Sequence, residues 1–228
     1  MRRVPLLATV LVLAFTSCAQ GADVVDRIVA TVNGHVILQS DWDDAVRFES
    51  FLEGRPLNQV TDQDRGRALD RLIDQELLRE QSQGAEAPQP PAEEIQQRIA
   101  EVQKQLAATN PSEWQSALDR YGLAQKQLET WLSRDISMLH QVEARLRPTV
   151  SILPQTIESY YHQTFLPQLR KVGAQEVPLA QVSGKIREIL TEQKVNELFN
   201  SWLQSLRSES KISTPASSPP PPSGGQGS

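Results

Sequence analysis

Two β-branched runs, Ile28–Val32 and His35–Leu38, flank Asn33-Gly34 near the start of the chain. Alternating apolar runs around Asn-Gly predict a hairpin, because a type I′ turn needs positive φ at both central residues and Asn and Gly tolerate that best. Ser40 then stands at a helix N-cap, with Asp41 and Asp43 in the first turn to meet the helix dipole. From there the period changes from two to 3.6, and nearly all that follows reads as amphipathic helix.

The first helix should run over 41–53, with Trp42, Ala45, Phe48 and Leu52 on one face. Phe51 falls nearly opposite Trp42, which places it at the surface or against a second layer. Gly54-Arg55-Pro56 ends this helix. Thr61-Asp62-Gln63-Asp64 caps a second one, lined by Leu69, Leu72, Ile73, Leu77 and Leu78 and stopped by Gly84. The prolines 88, 90 and 91 bar helix until a third segment over 92–107, carrying Ile95, Ile99, Val102 and Leu106. A short helix over 113–121 puts Trp114, Ala117, Leu118 and Tyr121 on one side. A longer one over 124–146 carries Leu128, Trp131, Leu132, Ile136, Leu139, Val142 and Leu146.

Pro148 ends that helix, residues 149–153 read as extended, and Pro154 suits the first turn of a helix holding Ile157, Tyr160, Tyr161 and Phe165. Residues 167–178, with Gly173 and two prolines, read as loop. A last helix over 179–208 is lined by Val182, Ile186, Ile189, Leu190, Leu198, Phe199, Trp202, Leu203 and Leu206. Lys211–Thr214 is short and β-prone, placed to add a strand to the opening hairpin. The fold class is mainly α: a helical module with a small N-terminal hairpin, joined by this C-terminal strand.

Composition sets the ends. Arg2 and Arg3 precede an apolar stretch over 4–15, too short to span a bilayer comfortably. Residues 1–22 are therefore expected to be an export signal. Thr16-Ser17-Cys18 fits a lipobox with Cys18 as the lipidated residue, and ordinary cleavage after Ala19 or Ala22 fits as well; an uncleaved anchor is the third reading. Residues 23–214 form the folded module, and 215–228 are a Pro/Ser/Gly tail with too little apolar content to fold. Cys18 is the lone cysteine, so no intrachain disulfide forms.

The net charge of −5 offers no basic stripe for phosphates and argues against nucleic acid as a partner. Catalytic signals are nearly absent. His35, His140 and His162 lack a second His or Cys at ligand spacing, so spacing names no metal site, and they read as surface groups or, for His35, as a strand residue beside the turn. There is no Gly-rich phosphate loop and no Gly-x-Ser-x-Gly elbow. No cofactor is expected. The aromatic residues carry the remaining functional signal. Trp114, Tyr121 and Trp131 lie on adjacent helices, with Phe51, Tyr160 and Tyr161 elsewhere. Each sits on an apolar stripe and is read first as core. The alternative is a crevice lined by these six residues that holds extended peptide.

Several stretches resemble SurA-type periplasmic chaperones. Val29-Ala-Thr-Val32-Asn33-Gly-His-Val36-Ile37-Leu-Gln-Ser40-Asp41 resembles the opening hairpin and cap of that family. Ala68–Leu78 resembles its second-helix motif, and Arg120-Tyr-Gly-Leu123 with Gln127-Leu128 resembles the step before its long helix. Arg145-Leu146, Val150-Ser151 and Ile157 through Tyr160-Tyr161 resemble the exit from its N-terminal module. The resemblance implies a periplasmic, ATP-independent holdase whose partners are unfolded exported or outer-membrane polypeptides, with membrane contact only through a lipid on Cys18. In the family a parvulin prolyl isomerase domain of about a hundred residues follows the Tyr-Tyr helix. Here residues 166–178 are too short for any domain, so isomerase activity is not expected. A prolyl isomerase, and an assembly lipoprotein with one fixed partner, stand as the alternatives.

Overall fold

The computed structural model describes residues 26–82 and 89–214. The segment with Cys18 that is expected to be an export signal, the Gly84 stop and the Pro/Ser/Gly tail lie outside the described residues. Strands β1 (Ile28–Val32) and β2 (His35–Leu38) pair antiparallel across the Asn33-Gly34 turn. Both turn residues take positive φ, 49° and 94°, as a type I′ turn requires. The register slips between Ile28 and Ala30. Such a bulge puts two residues of one strand opposite one of the other, and consecutive Val29 and Ala30 are accordingly both buried.

Helix α1 (Gln39–Glu53) starts earlier than the Ser40 cap predicts, directly from Leu38. The Asp41 carboxylate accepts the Leu38 N–H at 3.1 Å. Ser40 instead donates its hydroxyl to Asp26, just before β1. The bond holds the Asp26 carboxyl below the usual carboxylate range. Gly54 closes α1 at φ 66°: its N–H reaches Phe51 O at 3.1 Å, and that of Arg55 reaches Ser50 O at 2.8 Å. This left-handed cap satisfies carbonyls the helix would otherwise leave open. Helix α2 (Asp62–Gln81) begins with a reciprocal box, Thr61 Oγ1 accepting from Asp64 N and Asp64 accepting from Thr61 N.

Helices α3 (Ala92–Gln105), α4 (Pro111–Arg120) and α5 (Gln125–Leu146) follow, then α6 (Pro154–Tyr160). The segment read as loop from 167 is partly helical. Tyr161–Phe165 form a π turn leading straight into α7 (Leu166–Lys171). Pro167 has no N–H to give and sits in the first turn of α7, where none is needed. Helix α8 (Leu179–Glu209) closes the helical part, and β3 (Ile212–Ser213) pairs antiparallel with β1 in a sheet ordered β2-β1-β3. Among the described residues no helix is long and apolar enough to cross a membrane.

The core has three main parts. The sheet packs Val29, Val32 and Ile37 on Ile73, Leu77 and Leu78 of α2, Val142 of α5 and Leu206 of α8. A second part joins α1, α3, α4 and α5 through Phe48, Phe51, Val102, Leu118, Leu128 and Leu132. A satellite gathers Ile157, Tyr161 and Leu166 around Ile186 at the start of α8. The long terminal helix thus joins the satellite to the sheet. Leu139, expected on the buried stripe of α5, is 62% exposed.

Candidate functional site

Helix α1 is buried on two sides. Ala45 and Val46 face Ala68 of α2, while Phe48 and Phe51 face α3, α4 and α5. That explains Phe51, which a one-sided helix would leave at the surface: its exposure is 0%, and it is the largest fully buried side chain of the described residues. Its ring meets Trp114 at 5.6 Å and Tyr121, edge on, at 5.5 Å. Such tilted and edge-to-face pairs are the arrangement ring quadrupoles prefer.

Trp114 and Tyr121 are buried with it. The indole N–H of Trp114 donates to Gln125 Oε1 at 2.7 Å, at the first turn of α5, so its polar edge is satisfied within the fold. Burial pushes the Tyr121 phenol up from its ordinary pKa. The structure thus brings Phe51, Trp114 and Tyr121 together as a packed cluster, and Tyr121 also reaches the lining of an open groove. Trp131 differs. It is half-buried, lies 4.6 Å from the Phe48 ring, and also touches the Ala45–Val46–Ala68 group. Tyr160 and Tyr161 belong to the satellite. Tyr161 is buried and donates its hydroxyl to Val177 O at 2.8 Å, pinning the segment that leads into α8, while Tyr160 is half-buried.

Beside Tyr121 lies an open groove of about 550 Å³, where the C-terminal ends of α1 and α3 meet α4. Leu106, Ala107, Ala108, Ala117 and Tyr121 supply apolar lining, and Glu53, Glu113 and Arg120 supply charge. Each edge is set by a helix end. Gly54 lies so close to Leu106 that a β-carbon there would sit 3.1 Å from Leu106 Cδ2. Ala107 ends α3 in the left-handed region at φ 53°, with Ala107 N and Ala108 N reaching Lys104 O and Gln103 O. Asn110 caps α4 through Glu113 N at 2.9 Å, and the Glu113 carboxylate accepts from Thr109 N and Thr109 Oγ1. Those bonds hold the Glu113 carboxyl below its usual range. The exposed lining of this groove is more polar than apolar. The sequence names Leu106, Ala117 and Tyr121 as stripe residues but does not show the groove they line, because its edges are the ends of three helices that meet only in the fold.

Titratable groups gather in two further places. Glu49 and Asp135 are both held above the usual carboxylate range by burial. Arg71 Nε lies 2.9 Å from Glu49, and Gln75 donates to Asp135 at 3.2 Å. His35, read from spacing alone as a surface group or a strand residue beside the turn, is brought beside Glu76 and Glu80. No nucleophile–base–orienter arrangement accompanies either group among these contacts.

Residues 3–142 match the family model of the SurA-like N-terminal domain. No curated protein matches the chain.

Proposed function

Because the chain belongs to the SurA-like N-terminal domain family, we propose that it is an ATP-independent holdase of the bacterial periplasm that binds unfolded exported or outer-membrane polypeptides. Family membership suggests a chaperone-like role and client polypeptides in general, and it is the observation that carries this reading. No parvulin domain is evident among the described residues, and the reading concerns polypeptide binding alone. The groove at the ends of α1, α3 and α4 supports it: about 550 Å³ of open volume with a mixed small-apolar and charged wall. Half-buried Trp131 and Tyr160 are the aromatic residues of the six named from sequence whose rings retain partial access to solvent. Export, and lipidation of Cys18 where it occurs, would deliver the module to where such clients pass.

The test is aggregation of a urea-unfolded outer-membrane β-barrel protein, diluted with and without the purified chain and without nucleotide. Suppression at near-equimolar amounts is the expected result; unchanged light scattering at a several-fold excess of the chain would sink the proposal. Ser116 is exposed on the groove wall, so Ser116→Arg should weaken suppression while leaving the urea midpoint unchanged.

A further inference from the structure

We propose that His35, Glu76 and Glu80 form a site for a divalent cation of the zinc class, fastening the hairpin to α2. His35 is the first residue of β2, and Glu76 and Glu80 are four apart on α2 and so share one face of it. One donor atom from each of the three lies within 4.8 Å of the other two. His35 Nδ1 is 3.6 Å from Glu76 Oε1, and Nε2 is 3.9 Å from Glu80 Oε1. Zinc bonds of roughly 2.0–2.2 Å in a tetrahedral shell place donors about 3.3–3.6 Å apart. The two contacts use different ring nitrogens and an ion takes one of them, so binding requires the imidazole to turn, and the His35 side chain is 56% exposed.

The carboxylates are also oriented from outside. Glu80 Oε2 accepts the Asn33 side-chain amide at 2.6 Å, and Glu76 Oε2 accepts Arg79 Nε at 2.8 Å. In both residues the second oxygen is engaged and Oε1 is the one turned to the imidazole. Outer partners of this kind fix ligand orientation in metal sites. A positive group already bridges these donors: Arg79 Nη2 lies 2.6 Å from Glu76 Oε1 and 3.3 Å from His35 Nδ1. The arrangement is one that holds a cation, and a metal would have to displace the exposed Arg79 guanidinium from both Glu76 oxygens.

One imidazole nitrogen with two carboxylate oxygens sets the class. The imidazole favours zinc and its neighbours over calcium and magnesium, and the lack of thiolate disfavours Cu(I). Asn33 continues the chain of contacts, since it bonds Ser210 and Lys211 as well as Glu80. An ion here would therefore fasten the point where hairpin, α2 and the C-terminal strand meet. This inference stands on geometry and is separate from client binding.

The experiment is calorimetric titration of the purified chain, carrying no His tag and stripped with a chelator, with zinc chloride, alongside thermal melts at rising zinc. One equivalent should bind, and the melting temperature should climb with zinc concentration, as it must for a ligand of the folded state. His35→Ala and the isosteric Glu80→Gln should each weaken binding by about tenfold or more, the loss that outer-shell changes alone can cause, and abolish the melting shift. His140→Ala and His162→Ala should bind as the parent does. Absence of one-equivalent binding overturns the proposal. So does binding that survives both His35→Ala and Glu80→Gln, or that is lost with His140 or His162. Circular dichroism of each variant establishes that it is folded before it is titrated.

Discussion

Asn33 and Lys211, 178 positions apart, exchange two hydrogen bonds: the Asn33 backbone N–H donates to Lys211 O at 2.9 Å, and the Lys211 N–H donates to Asn33 Oδ1 at 2.8 Å. The turn residue of the opening hairpin therefore holds the segment that leads from α8 into β3. The pairs Val32↔Ile212 and Thr31↔Ser213 continue the contact. A two-stranded ribbon is marginal alone, and here it gains a third strand and a floor of α2, α5 and α8 side chains.

This clasp is separable by substitution. Asn33→Gly keeps the positive φ of the turn and loses the side-chain bonds, which should cost about 1 kcal/mol. Asn33→Ala loses the same bonds and adds the strain of a left-handed L-residue, roughly 1–2 kcal/mol more. Truncation after Glu209 removes β3 and should cost more than either, whereas truncation after Thr214 leaves the β1–β3 pairs in place. Urea melts rank the variants. Equal midpoints for Asn33→Ala, Asn33→Gly and the parent would show that the clasp contributes nothing.

The aromatic cluster makes a second prediction. Phe51→Ala and Trp114→Ala each empty a buried site in the part of the core that joins α1, α3, α4 and α5, and each should cost about 3–5 kcal/mol. Trp131→Ala removes a half-buried ring and should cost less. If client binding uses Trp131, its variant loses affinity at concentrations of urea where it is still folded. A Trp114 variant as stable as the parent would place that ring outside the core.

Much of this fold is legible in the sequence, for physical reasons that can be named. The Asn-Gly turn, the Thr61 and Asn110 caps and the 3.6-residue stripes are local signals, and β1, β2 and α2 to α5 follow them closely. The C-terminal strand is legible because a β-prone segment after a terminal helix has a hairpin edge to meet. Reading fails where the determinant is not local. For Phe51 the sequence leaves the surface and a second layer open, and only tertiary structure, which packs α1 on both sides, decides for the second layer. Helix α7 is missed because Pro167 reads as a breaker, yet it stands at the first turn after a π turn whose last bond runs from Leu166 N to Tyr161 O. His35 acquires its carboxylate neighbours only when the hairpin lies on α2.

Ala107 makes a third prediction. It is one of two non-glycine residues with positive φ among those described, the other being the turn residue Asn33. It occupies the position that Gly54 and Gly122 fill at the ends of α1 and α4. A left-handed L-residue costs roughly 1–2 kcal/mol, and part of that returns when glycine brings its larger unfolded-state entropy. Ala107→Gly should therefore stabilise the protein by about 0.5–1 kcal/mol, read as a higher urea midpoint at an unchanged slope. Because Ala107 lies on the groove wall and loses one methyl group, client suppression by this variant should match the parent. A lowered midpoint would mean that the methyl packs usefully against its neighbours.

The buried carboxylates Glu49 and Asp135 set the sign of a pH effect. Burial raises both above the usual range, against the pull of Arg71. A carboxyl that is harder to ionise when folded binds its proton more tightly in the native state than in the unfolded chain. Its contribution therefore turns unfavourable as pH climbs from the ordinary carboxylate range through the raised native value, and stays so above it. Asp43, Glu76 and Glu113 are held low and act oppositely, adding stability above the ordinary range that is lost as pH falls through their lowered values. Asp135→Asn separates the two groups, because asparagine keeps an oxygen to accept from Gln75 and carries no charge to desolvate. The variant should be more stable than the parent at pH 7, and its advantage should shrink as pH drops toward about 4, where an unperturbed aspartate protonates. Urea midpoints of parent and variant across that interval test it, and curves that run parallel would remove Asp135 as a source of the pH dependence.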